Sequence, residues 1–84
     1  MSRAGNRERL LRFLDGIRRP DRRLSEIEEG ENLVQSGLID SLALLEIVSF
    51  LESEFGVDFS STGLDPGRLT TIPSILDLIE TETG

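Results

Sequence analysis

The chain has 84 residues and a formal net charge of −7, and it contains no cysteine, histidine, tyrosine or tryptophan. A chain this short forms one small domain with a thin core, and it has neither disulfides nor zinc-binding cysteines. Because most nucleophile–base pairs, proton relays and metal sites use histidine or cysteine, the composition argues against an enzyme and predicts no catalytic residues and no metal site.

The first predicted helix spans approximately residues 6–18. Its apolar residues recur at helical spacing, and Pro20 prevents the helix from continuing. The apolar face of this helix consists of Leu10, Phe13, Leu14 and Ile17.

Residues 20–40 form a connection that is longer than an ordinary loop. Such loops are usually functional or disordered, although this one could simply span the molecule between two antiparallel helices. We expect Ile27, Leu33 and Leu38 to anchor it to the core.

The second predicted helix, residues 41–55, has the strongest signal in the sequence. Asp40 is a candidate N-cap, and Gly56 is a natural residue for the helix to end on. The apolar stripe has the i, i+3, i+4, i+7 spacing of an amphipathic helix and consists of Leu44, Ile47, Val48, Leu51 and Phe55.

The C-terminal third contains a short and a longer predicted helix. Residues 60–71 are dominated by Ser, Thr, Gly and Pro, with one helical turn at residues 65–69. The last helix spans approximately residues 72–81, with Thr71 as N-cap and Pro73 in its first turn. Since no segment alternates with a period of two, we expect one all-α domain over residues 1–84. Its core should include Leu14, Ile47, Leu51, Phe55, Phe59, Ile75 and Ile79.

The charge is divided unevenly along this domain. Residues 1–23 contain eight arginines and three acids, a balance of +5, whereas residues 24–84 contain one arginine and thirteen acids, a balance of −12. The acidic body argues against nucleic acid as a ligand and fits a basic protein partner, or serves solubility alone. No apolar run reaches the roughly 20 residues of a membrane span, and no apolar secretion signal is visible, so we expect a cytoplasmic protein.

Ser41 stands at the head of the second predicted helix. The first turn of a helix has unpaired N–H groups and a dipole that favours negative charge, so a phosphate ester at this position would be stabilised. With no histidine in the chain, Ser41 lacks an obvious base. It is better interpreted as a residue that another enzyme modifies than as a nucleophile.

Residues 37–42 (GLIDSL), 46–48 (EIV) and 51–57 (LESEFGV) resemble the acyl carrier protein family, which includes peptidyl and D-alanyl carriers. The resemblance covers approximately residues 7–80 and includes the spacing of the predicted helices. It implies an all-α four-helix bundle of acyl-carrier type. Such a bundle has three longer helices, one short helix and a long loop between helices 1 and 2.

The resemblance also implies a chemistry. In the family, the serine of an Asp-Ser-Leu motif accepts 4′-phosphopantetheine from coenzyme A, and the thiol of this arm holds an acyl or aminoacyl group as a thioester. Ser41, flanked by Asp40 and Leu42, is then the attachment residue. The implied partners are a phosphopantetheinyl transferase, an acyl- or aminoacyl-loading enzyme and a downstream synthase or transferase. The carrier is expected to be a monomer.

In the family, partners recognise the exposed side of the second helix. Carboxylates there would attract Arg and Lys of a partner, although glutamates on a solvated helix face are common. Leu42 is either a core residue or an apolar anchor for a partner. The corresponding positions in this sequence are Asp40, Leu42, Leu45, Glu46, Ser49 and Glu52.

Two residues depart from typical fatty-acid carriers, which have a large apolar residue in place of Ser49 and an acid in place of Ser53. These departures favour a dedicated carrier of a specialised pathway. If Ser49 lines the interior, its hydroxyl reduces the apolar burial available to a long acyl chain, which favours a short or polar cargo. Two other interpretations stay open, namely a helical protein-interaction module without a prosthetic group and a small helical enzyme.

Overall fold

The computed structural model describes residues 3–63 and 65–83, except for the side chains of residues 61, 62 and 83. No strand occurs in these residues, so the predicted all-α class is confirmed. Two short 3₁₀ helices, Leu24–Glu26 and Pro66–Leu69, lie in the connections. The α-helices in chain order are α1 (Arg3–Ile17), α2 (Ala43–Phe55), the single-turn α3 (Phe59–Thr62) and α4 (Ile72–Thr83).

Helix α1 begins at Arg3 rather than at residue 6 because its first turn is held by a distant part of the chain. The guanidinium of Arg3 donates hydrogen bonds to the carboxylates of Asp77 (3.0 Å) and Glu80 (2.8 Å) on α4. The hydrogen bond with Asp77 is the largest cause of a raised pKa of Arg3. An apolar repeat cannot reveal this contact, since it joins the two ends of the sequence.

Helix α3 was not predicted from the sequence, where residues 60–71 read as a loop with one turn. The carboxylate of Asp58 accepts hydrogen bonds from the backbone N–H (3.0 Å) and hydroxyl (2.6 Å) of Ser60, which stabilises the start of α3. The turn that was predicted at residues 65–69 is the 3₁₀ helix Pro66–Leu69, capped by the carboxylate of Asp65. Asp58 is therefore a capping residue for α3, although the Ser- and Thr-rich composition of the segment predicts a loop.

Helix α4 begins where the sequence predicts. The backbone N–H of Ser74 donates to the Thr71 hydroxyl oxygen (3.2 Å), and the N–H of Ile75 donates to the Thr71 carbonyl (3.1 Å). Thr71 is thus the N-cap. Helix α2 ends as predicted at Gly56, which adopts a left-handed conformation with φ 71°.

The core lies between α1, α2 and α4 and includes all seven residues predicted to be buried. The connection before α2 also contributes to it. Leu33 and Leu38 are completely buried, as expected of anchors, and Ile39 joins them, whereas Ile27 is half-buried against the cluster. The fully buried residues of the three helices include Leu10, Leu14, Ile47, Leu51, Ile75 and Ile79.

Helices α1 and α2 run antiparallel. The Arg9 guanidinium meets the Glu54 carboxylate at 2.9 Å. One turn further along α1 and one turn back along α2, the rings of Phe13 and Phe50 stack with their centroids 4.2 Å apart. The end of α1 and the start of α2 therefore lie at the same end of the molecule. None of the helices in the described part of the chain is long and apolar enough to cross a membrane.

We expect Phe55→Ala to lower the free energy of unfolding by about 3–5 kcal/mol, as large-to-small core substitutions do. Phe55 is only 7% exposed, packs edge-on against Phe50 and lies under the guanidinium of Arg9. Urea denaturation would measure the loss. Leu45→Ala is the matched control, because Leu45 is 65% exposed and its truncation should change stability by less than about 0.5 kcal/mol. Equal midpoints for the two variants would contradict this packing.

Candidate functional site at the head of helix α2

The segment that leads into α2 is held on both sides by the rest of the molecule. The Leu33 N–H donates to the Thr70 carbonyl (2.6 Å), and the Ile39 N–H donates to the Leu33 carbonyl (3.3 Å). From the other side, the Arg19 N–H donates to the Leu38 carbonyl (2.8 Å). The backbone just before Asp40 is thereby fixed between the end of α1 and the start of α4.

Gly37 has a backbone conformation that other residues rarely adopt, with φ 85°. A Cβ atom at this position would lie 3.4 Å from Nε of Arg22, which is ordinary contact with a flexible side chain, so the backbone conformation rather than space favours glycine. Glycine thus allows the chain to turn into the buried pair Leu38 and Ile39.

Residues 40–42 form a turn before α2, so the helix proper begins at Ala43 rather than at residue 41. The N–H groups of Leu44 and Leu45 bond to carbonyls three residues earlier, at 3.3 and 3.1 Å, which is the tighter 3₁₀ pattern. Asp40 nevertheless makes the capping bond expected of it, because its Oδ1 accepts from the Ala43 N–H at 3.0 Å. Asp40 thus caps the turn that leads into α2, whereas the residue directly before the helix, Leu42, makes no side-chain cap.

Ser41 is exposed, and its hydroxyl makes no hydrogen bond with the described residues. The backbone N–H groups of Ser41 and Leu42 likewise donate to none of those residues. A free hydroxyl therefore stands beside two free donors at the positive end of α2. The chain has no histidine, so this hydroxyl has no imidazole base, and Oδ1 of the neighbouring Asp40 accepts from the Ala43 N–H.

Comparisons with known proteins add to this geometry. A family model described as "Phosphopantetheine attachment site" matches residues 18–81, which is more than half of the chain. The chain belongs to this family. Searches of curated proteins and of solved structures gave no significant match.

Members of the phosphopantetheine attachment site family carry 4′-phosphopantetheine covalently and are carriers rather than catalysts. The chain is therefore a phosphopantetheine carrier, not an enzyme. The head of α2 suits such a group, since the N–H groups of Ser41 and Leu42 could donate hydrogen bonds to the phosphate oxygens.

The residues that the sequence placed on the partner face of α2 are all exposed. From Leu42 onward each of them lies three or four residues from another member of the set, so they line one side of the helix. Leu42 is 73% exposed and Leu45 is 65% exposed, which resolves the alternative for Leu42, because it is not a core residue.

Ser49 lies on the exposed side of α2, as its assignment to the partner face requires, and not in the interior, which was the condition for favouring a short or polar cargo. Ser49 is exposed, and its carbonyl accepts a hydrogen bond from the Ser53 hydroxyl (3.0 Å) on the outer face of α2. The core stripe of α2 is instead Ala43, Ile47, Leu51 and Phe55. Since Ser49 does not touch the core, its hydroxyl carries no argument about the length of a cargo.

We expect Gly37→Ala to lower the free energy of unfolding by about 1–2 kcal/mol, the cost of a left-handed conformation for a residue with a side chain. Gly30→Ala is the control, because Gly30 has no positive φ and no atom within 4 Å of a built Cβ. Thermal or urea denaturation of both variants would measure the difference. A Gly37→Ala protein as stable as Gly30→Ala would show that the turn into Leu38 does not need glycine.

Proposed function

We propose that Ser41 is the residue to which 4′-phosphopantetheine is attached, and that the chain carries an acyl or aminoacyl group for partner enzymes. The observation that carries this proposal is the free hydroxyl of Ser41 at the head of α2, inside residues 37–42 (GLIDSL). When bound, the arm supplies a thiol that can hold such a group as a thioester.

The residues around Ser41 would have separate tasks in this function. The N–H groups of Ser41 and Leu42 would donate hydrogen bonds to the phosphate oxygens, and the dipole of α2 would stabilise the negative charge of the phosphate. Asp40, by binding the Ala43 N–H, would fix the turn on which the serine stands. Because the chain offers the hydroxyl no histidine, we expect the transferase to supply the base that removes its proton.

The exposed face of α2 would be where partners recognise the carrier. Leu42 and Leu45 offer apolar side chains beside Ser41, of the kind that fill a pocket at an interface. Glu46 and Glu52 are exposed on the same side and would attract basic residues and speed the encounter. Asp40 and Ser49 complete this face.

The setting that fits these features is a monomeric carrier of acyl-carrier type, acting in the cytoplasm within a specialised biosynthetic pathway. Three long helices and the short helical segments before α4 support this bundle type. The partners would be a phosphopantetheinyl transferase, a loading enzyme specific for the acyl or aminoacyl group, and a downstream synthase or transferase.

We expect Ser41→Ala to abolish modification without unfolding the chain. Wild type should gain the mass of one phosphopantetheine when incubated with coenzyme A and a transferase of broad specificity, and the variant should gain none. Ser25→Ala removes another exposed serine hydroxyl, one that lies outside α2 and its partner face, and should be modified like wild type. Intact mass spectrometry measures all three, and circular dichroism checks the fold. Modification of the Ser41→Ala protein would refute the assignment.

We expect Glu46→Lys to slow modification by the transferase, because it reverses a charge on the proposed partner face. The wild-type rate should fall as salt rises, since screening weakens such attraction. Glu28→Lys makes the same change at an exposed residue outside α2 and should leave the rate close to wild type. The initial rate of mass gain at several salt concentrations is the measurement. Equal slowing by both variants would show that net charge alone matters, not this face.

A further inference from the structure

The arginines near the N-terminus fall into two groups. Five of the eight form ion pairs with carboxylates of the described residues. Arg3 and Arg9 join α1 to α4 and α2, and Arg7 joins it to the connection before α2. Arg12 and Arg18 pair with Glu8 and Asp15 of their own helix. These five thus hold α1 together or hold it against the acidic body.

The other three, Arg19, Arg22 and Arg23, are exposed. No carboxylate in residues 3–63 and 65–83 lies within ion-pair distance of their guanidinium groups. Three arginines without an ion-pair partner within five residues stand out in a chain whose net charge is −7. We call Arg19, Arg22 and Arg23 the arginine patch.

The patch stands on a turn with a defined structure. The Arg22 N–H donates to the Arg19 carbonyl at 3.0 Å. The guanidinium of Arg18 donates to the carbonyls of Arg19 (3.3 Å) and Arg22 (2.7 Å) and is held in turn by Asp15 (2.8 Å). The backbone that presents the patch is therefore fixed, while its charged groups remain in water.

The patch lies at the same end of the molecule as Ser41. The Arg19 N–H binds the Leu38 carbonyl, and the Arg22 side chain lies against Gly37, both in the segment just before Asp40. The antiparallel arrangement of α1 and α2 agrees with this placement, because the patch follows the end of α1 and Ser41 precedes the start of α2.

Two carboxylates near the patch reduce its charge without cancelling it. Asp21 is exposed within the same turn, and the carboxylate of Glu26 accepts a hydrogen bond from the backbone N–H of Arg23 (2.8 Å). Residues 18–23 contain four arginines and one acid, so the turn stays basic. The partner face of α2 has the opposite charge.

We propose that the arginine patch is a second docking surface, which binds an acidic region of a partner protein that engages the head of α2. The proposal rests on the proposed function only in assigning this end of the molecule to partners. A partner would then need a basic region for α2 and an acidic region for the patch. Two contacts of opposite sign would fix its orientation, because like charges oppose the reversed arrangement.

The test uses an acidic peptide, acetyl-hexaglutamate amide, titrated at low salt into the ¹⁵N-labelled chain and followed by the Nε–Hε signals of the arginines. We expect saturable shifts at Arg19, Arg22 and Arg23, which weaken as salt rises. Arg22→Ala should weaken binding severalfold and Arg22→Lys less. Arg12→Ala is the matched control, since Arg12 is an exposed arginine that already has a carboxylate partner, and it should bind like wild type.

Equal weakening by Arg22→Ala and Arg12→Ala would overturn the proposal, as would shifts spread evenly over all the arginines. A parallel titration with coenzyme A tests whether the patch binds phosphate groups rather than carboxylates. If coenzyme A saturates the patch and the peptide does not, the patch binds phosphate and the docking proposal is wrong. Neither titration involves modification of Ser41, so a failure here leaves the mass test of the proposed function intact.

Discussion

The hydrogen bond from the Leu33 N–H to the Thr70 carbonyl determines where α2 starts. Leu33 also accepts from the Ile39 N–H, so the chain between them is closed into a loop whose ends are buried. With Leu38 and Ile39 inside the core, the first residues free to face solvent are Asp40 and Ser41. The Ser41 hydroxyl is therefore exposed because the residues before it are anchored, and its position is set by core packing rather than by the polar residues around it.

The helices that the sequence predicted best are those with both an apolar repeat and a cap. Helix α4 has the Thr71 cap, and α2 has the Gly56 stop, and both were found at the expected ends. The start of α1 was misplaced because Arg3 is held by α4, far away in sequence. Helix α3 was missed because Ser and Thr residues read as a loop, although Asp58 offered a local cap. Tertiary contacts and single caps are what a periodicity argument overlooks.

The sequence predicts where the candidate site lies in the chain, but not the direction in which each of its side chains faces. The position of Ser41 at a helix head followed from Asp40 and the stripe of α2, and the outward direction of Leu42 did not, since an apolar residue there could face either way. Ser49 had two possible positions by comparison with the family, on the partner face or lining the interior, and the structure turns its side chain outward. The arginine patch could not be separated from the other arginines by sequence, since only the structure shows which of them meet carboxylates.

The family match begins at residue 18, whereas the core begins earlier. Leu10 and Leu14 of α1 are completely buried against the other helices, and Phe13 stacks on Phe50 of α2. A fragment cut to the matched residues would keep the attachment motif and lose one wall of the interior, leaving the apolar sides of α2 and α4 open to water. The unit that sequence comparison recognises is thus shorter than the unit that folds. Any transplant of this carrier into another protein should take its limits from the packing of α1.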